Sequence, residues 1–110
     1  MYVRDIKESK RFYEDALGMK VKFASPDGQW IEFDLGETSF AILQRPAKKG
    51  ELKPEKTRTM FEVKNMEAAK ERLDEKGVKI IGDIRIEDYG KLLTFEDPNG
   101  HWLELFEMNP

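Results

Sequence analysis

The sequence offers few groups that could do chemistry. It contains no cysteine, which excludes a thiol nucleophile, a thiolate metal site and a disulfide framework. Its single histidine, His101, follows the turn-forming run Asp97-Pro98-Asn99-Gly100 and is expected to be a partly exposed turn residue without a catalytic role. Tyr2, Tyr13 and Tyr89 are scattered, and Tyr13 falls on the core face of a helix. Glu104, flanked by Leu103 and Leu105, would act as a general base only with a raised proton affinity, and an adjacent Arg58 would lower it instead, so no catalytic residue is assigned. With no thiol and one poorly placed imidazole, a nucleophile–base pair is hard to assemble.

Strand side chains alternate, so parity assigns the elements that would hold these groups. Ala41 and Leu43, Phe61 and Val63, Leu93 and Phe95, and Leu103 and Leu105 share one parity and are all apolar. This is the face expected to pack on helices. The other parity carries Phe40, Ile42, Gln44, Arg58, Met60, Glu62, Leu92, Thr94, Trp102, Glu104 and Phe106. Water-facing strands would carry fewer aromatics, and a buried core fewer charges. The mixture suits a concave pocket with apolar walls and a few orienting polar groups. A subunit interface has a similar composition, and the two can coincide.

The elements come in a repeat. Val3-Arg4-Asp5-Ile6 corresponds to Val63-Lys64-Asn65-Met66: a strand end, an N-cap and a helix start. Ile6, Ser9, Tyr13, Ala16 and Leu17 line one face of the first helix, expected near 6–17; Met66, Ala69 and Leu73 line the second, near 66–76. Gly18 and Gly77 stop them. Strand-like segments follow at 20–24 and 79–81. Phe33 to Leu43 then aligns with Phe95 to Leu105, with turns at Gly36-Glu37-Thr38 and Asp97-Pro98-Asn99-Gly100. Each unit reads strand, helix, three strands, giving eight strands in all. The expected class is α+β: two βαβββ modules forming a cupped mixed sheet with helices on its convex face. One domain over 1–110 divides into module one at about 1–45, a linker at 46–56 containing Pro46, Gly50 and Pro54, and module two at about 57–108. A ferredoxin-like α+β domain is the alternative.

The totals bound the function class. A chain of 110 residues, 39% apolar and 37% charged, is a globular domain with a modest core, which oligomerisation would help. The net charge of −3 with interleaved signs argues against nucleic acid. No apolar run is long enough for a membrane span, and no signal peptide is visible, so a cytoplasmic setting is expected.

The chain resembles the vicinal-oxygen-chelate superfamily, the glyoxalase/bleomycin-resistance/dioxygenase type. The resemblance rests on Val3-Arg4-Asp5 with 9–19 (Ser-Lys-Arg-Phe-Tyr-Glu-Asp-Ala-Leu-Gly-Met), and on 95–107 (Phe-Glu-Asp-Pro-Asn-Gly-His-Trp-Leu-Glu-Leu-Phe-Glu). It implies the cupped fold and a small-molecule site. In metal-dependent relatives it also implies four ligand positions, usually His or Gln, Glu, His and Glu. The last falls on Glu104. The repeat register places its first-unit counterpart on Ile42, which cannot bind a metal, and the second-unit His on Arg58, a permanent cation. The first-unit His would lie five residues before Val3, ahead of Met1. Glu104 is then the only retained ligand position, and a metal centre needs more. The expectation is a bleomycin-resistance-like homodimer that binds and sequesters a small organic molecule without metal or other cofactor. Its site would draw on Phe40, Ile42, Gln44, Arg58, Met60, Trp102, Glu104 and Phe106, with Arg58 and Glu104 paired. The alternative is a divalent-metal-dependent lyase or dioxygenase whose first ligand lies upstream of Met1.

Overall fold

Asp5 and Asn65 begin the two helices as N-caps. The Asp5 carboxylate accepts from the N–H groups of Lys7 and Glu8, and the Asn65 side chain from that of Ala68. Each cap satisfies donors that a helix start leaves without intrahelical partners. The computed structural model describes residues 1–45, 54 and 59–110. It divides into two compact units, Met1–Lys53 and Pro54–Pro110. The proposed linker therefore falls largely outside the described residues.

The first unit runs β1 (Tyr2–Val3), α1 (Ile6–Asp15), β2 (Lys20–Ala24), β3 (Trp30–Asp34) and β4 (Ser39–Gln44). The second runs β5 (Thr59–Glu62), α2 (Met66–Glu75), β6 (Lys79–Glu87), β7 (Gly90–Glu96) and β8 (Trp102–Met108). Each unit is the expected βαβββ module with a four-stranded mixed sheet, ordered β1-β4-β3-β2 and β5-β8-β7-β6. In each, the strand before the helix lies parallel to the last strand, and the remaining neighbours are antiparallel. Helix packed on sheet, two layers around one core, is how such modules bury their apolar faces.

In the first unit, Tyr13 of α1 lies against Phe33 and Phe40 at ring-centroid distances of 5.9 and 5.1 Å. Val3, Ile31, Phe33 and Ile42 are buried with it. In the second, Met66 and Leu73 of α2 are buried, as are Leu93, Phe95, Leu103 and Leu105. Each such side chain contributes roughly 1.5–3 kcal/mol relative to its exposed state. One polar contact recurs at both helix starts. The Ile6 N–H donates to Gln44 Oε1 (2.9 Å), and the Met66 N–H to Glu107 Oε1 (2.6 Å).

That recurring contact corrects the repeat register. Phe33 and Phe95 correspond, but after the turn Gln44 corresponds to Glu107. Cross-strand pairing shows why. Asp34 pairs with Ser39 across residues 35–38, whereas Glu96 pairs with Trp102 across residues 97–101, one residue more. A one-residue slip exchanges the faces of a strand. In β4 it is therefore Phe40, Ile42 and Gln44 that face the helix, and Ala41 and Leu43 that face away. The parity expected for β5, β7 and β8 holds.

Candidate functional site

The second sheet directs Met60, Leu92, Thr94, Glu104 and Phe106 away from its helix, as their cross-strand pairing shows. Thr94 and Glu104 are direct partners on β7 and β8. Both are buried, at 3% and 1% exposure, although they lie on the face opposite the helix. A carboxyl group that far from water needs donors or a counter-charge.

A bulge in β6 supplies them. Ile81 pairs with Thr94 and Arg85 with Leu92, so the three residues from Gly82 to Ile84 stand opposite Leu93 alone. Gly82 has φ +77°, a left-handed conformation that glycine adopts without steric cost. Beyond the bulge, Arg85 Nη1 donates to Thr94 Oγ1 (3.2 Å) and Nη2 to Glu104 Oε1 (3.3 Å). The Thr94 hydroxyl donates to the same Glu104 oxygen at 3.4 Å. Bulges commonly re-aim a side chain beside a functional site, and here the displaced side chain covers a buried carboxyl. Nearby, Trp102 Nε1 donates to Glu96 Oε1 (3.1 Å), and Lys79 stands 3.8 Å from the same carboxylate. Tyr89, in the β6–β7 turn, lies against Phe106 at 6.0 Å between centroids.

The turn at Tyr89 depends on Gly90. A Cβ there would overlap the Glu107 carbonyl oxygen and meet the Phe106 ring at 3.0 Å. Lys91 then ties the sheet to α2, with Nζ 2.7 Å from Glu67. The exposed pair raises the Lys91 pKa and lowers that of Glu67, in each case chiefly through their shared hydrogen bond.

The expected site residues separate into three groups. Met60, Trp102, Glu104 and Phe106 share the outward face of the second sheet. Phe40, Ile42 and Gln44 do not belong to an outward face: Phe40 packs on Tyr13, Ile42 is fully buried and Gln44 holds the start of α1. The outward positions of the first sheet are instead Trp30, Glu32, Ala41 and Leu43, with Phe23 opposite Glu32. Arg58, and its expected pairing with Glu104, lie outside the described residues. Arg85 was not among the expected residues, yet it holds Glu104. Gly82 inside a strand pattern was the available signal for the bulge.

His101 is also corrected. It is fully buried, not partly exposed, because the Asp97 carboxylate accepts from the N–H groups of Asn99 and His101 (2.9 Å each) and folds the turn inward. A separate cleft of about 520 Å³, lined by Glu62, Val63, Lys64, Glu107, Met108 and Pro110, lies at the end of β8. It does not include the Arg85–Glu104 pair.

Among the described residues, the donors around Glu104 do not fit a resident divalent metal. The corrected register replaces Ile42 by Ala41 as the counterpart of Glu104, and alanine has no donor atom. A guanidinium stands against Glu104. Among the described residues, no three His, Asp or Glu side chains converge. Also among the described residues, no helix is long and apolar enough to cross a membrane.

Comparison with known proteins fits this geometry. A family model described as Glyoxalase/Bleomycin resistance protein/Dioxygenase superfamily matches residues 1–105. The uncharacterized protein YraH of Bacillus subtilis (strain 168) is 29% identical, over 98% of this chain and 94% of that protein. The lactoylglutathione lyase structure from Agrobacterium tumefaciens superposes with TM-score 0.76 at 17% identity, covering 97% of this chain and 88% of that one. The fosfomycin resistance protein FosX from Mesorhizobium loti gives 0.72 at 21%, covering 98% and 86%. At these identities the two structures establish the fold alone, and one fold hosts many activities. The sequence match over nearly the whole chain and the paired βαβββ modules place this protein in the glyoxalase/bleomycin resistance protein/dioxygenase superfamily.

Proposed function

We propose that this protein is a metal-independent small-molecule binding protein that works as a homodimer and sequesters its ligand. The observation that carries the reading is the Arg85–Thr94–Glu104 cluster. The carboxylate that a metal-dependent relative would give to its cation is here engaged by a guanidinium and a hydroxyl. Around it, Phe106 and Tyr89 provide aromatic surface above the buried Leu92, the mixture expected of a small-molecule site. The outward positions Phe23, Trp30 and Met60 are exposed in the single chain. Large exposed apolar groups favour a self-association that covers them.

The test is a thermal-shift screen of the full chain with a panel of small organic molecules, run in chelator and again with divalent zinc, manganese or nickel. A ligand that binds the native state raises its apparent stability. Stabilisation by organic molecules in chelator supports the proposal. Stabilisation only when a divalent metal is added would instead support a metal-dependent lyase or dioxygenase. Light scattering tests the dimer: the expected mass is twice the 12.9 kDa of one chain, and a monomer at tens of micromolar, the usual range of such a measurement, would refute it.

A further inference from the structure

We infer that Arg85 reads the ligand, and that the ligand carries a carboxylate or similar compact oxyanion beside a flat apolar body. This inference rests on the small-molecule reading above and names its ligand class. A guanidinium has five N–H donors in one plane. Among the described residues, Arg85 uses two hydrogen bonds, to Thr94 and Glu104, at 3.2 and 3.3 Å. Both are long and single-pronged. Arginine–carboxylate pairs are frequently bidentate, with parallel bonds of about 2.7–2.9 Å. Its two partners are almost wholly buried, whereas the Arg85 side chain is 37% exposed. The guanidinium is therefore held from the buried side by Thr94 and Glu104, while the Arg85 side chain as a whole keeps an exposed part.

The bulge gives this arrangement its direction. Three residues bow out of β6 so that Arg85, beyond them, reaches back over Thr94 and Glu104. Beneath and beside it lie the buried Leu92 and the Phe106 ring that Tyr89 flanks. A guanidinium offers only donors, so its ligand group must be an acceptor, and its planar fork matches a carboxylate. The apolar neighbours take the rest of the molecule. Glu104 competes for the same guanidinium, so its charge sets how tightly an oxyanion is held.

Proton–nitrogen correlation spectra of the full chain, titrated with benzoate and with its neutral isostere benzamide, test this. Benzoate should saturably shift the Arg85 side-chain N–H and the Thr94 and Glu104 amides. It should bind about tenfold more tightly than benzamide, the factor that one charge-assisted hydrogen bond supplies. Arg85→Lys should weaken benzoate about tenfold, because the fork is lost while the charge remains. Glu104→Gln should tighten benzoate several-fold; a purely structural pair would make that variant bind no better. Equal affinity for benzoate and benzamide would overturn the oxyanion inference while the small-molecule reading stands. The same holds if other molecules stabilise the protein but neither probe moves these signals. If no organic molecule binds at all, both readings fail. Should Arg85→Lys not fold, the Glu104→Gln titration decides, since it keeps Arg85: unchanged or weaker benzoate binding overturns the inference.

Discussion

Replacing Arg85 by Met tests whether the guanidinium–carboxylate contact is formed and coupled. The change removes the 3.3 Å contact to Glu104 and the 3.2 Å contact to Thr94, and leaves a carboxyl at 1% exposure without that counter-charge. Removing one partner of a fully buried pair costs about 3–5 kcal/mol. Arg85 is more than a third exposed and its contacts are long, so water already screens part of the interaction. A cost of about 2 kcal/mol follows, within the range for hydrogen bonds to charged groups. For a domain of this size that is roughly 8 °C in melting temperature. Glu104→Gln alone should cost about 1 kcal/mol, because the amide keeps the shape and can still accept from Thr94. In the double variant the buried Glu104 charge is removed together with its Arg85 partner, so the two costs should fail to add by about 1–2 kcal/mol. Urea unfolding at one fixed protein concentration measures the cycle, since a dimer's stability depends on concentration. Costs that add within about 0.5 kcal/mol, with Arg85→Met nearly neutral, would show the guanidinium to be an ordinary surface cation, uncoupled from Glu104.

Three further outcomes are expected. Gly90→Ala should cost about 1–3 kcal/mol in urea unfolding, an overpacking penalty, because its Cβ would overlap the Glu107 carbonyl and press on Phe106; a neutral variant would show that the β6–β7 turn yields freely. Glu107→Ala should cost about 1–2 kcal/mol by leaving the Met66 N–H without its acceptor, whereas Glu107→Gln should stay within about 0.5 kcal/mol, since Gln44 does the equivalent work for Ile6. Asp27 has a lowered pKa, first because the Ser25 hydroxyl donates to its carboxylate at 2.6 Å and then because the Gln29 N–H does so at 3.0 Å. The folded-state value lies below the unfolded one, so its stabilisation is present above the ordinary carboxylate range and is lost as pH falls through the depressed value. Asp27→Asn should flatten that acid limb in urea midpoints measured from about pH 5 to about pH 2, a range that brackets the ordinary Asp value, and an unchanged limb would contradict the assignment.

Much of the fold was legible because local signals agreed. Asp5 and Asn65 cap where expected, and the observed helices end at Asp15 and Glu75, close to Gly18 and Gly77, whose φ values are +67° and +70°. The second-unit faces followed from alternation because β7 and β8 are regular and strongly apolar on one side. The first-unit faces did not. Ser39 to Gln44 carries apolar groups on both parities, so pattern alone could not fix its register, and one alignment offset spanned turns of unequal length. Ile42 thereby displaced Ala41 as the counterpart of Glu104. Arg85 escaped because β6 was read as ending near Ile81, whereas the strand continues through its bulge to Glu87. A bulge sends pairing past a break that period-two patterning reads as an end. His101 was misjudged because a turn rich in Asp, Asn and Gly reads as exposed, while here the Asp97 carboxylate binds its backbone from within.

The central claim, that Glu104 is held by a guanidinium and not by a metal, is tested most directly by equilibrium dialysis of the full chain against zinc, manganese and nickel, with bound metal quantified afterwards. Far less than about one ion per chain is expected for each metal, with the small residue unchanged in Glu104→Gln, because no three His, Asp or Glu side chains converge among the described residues and a guanidinium stands against Glu104. Retention of about one ion per chain, lost in Glu104→Gln, would contradict it.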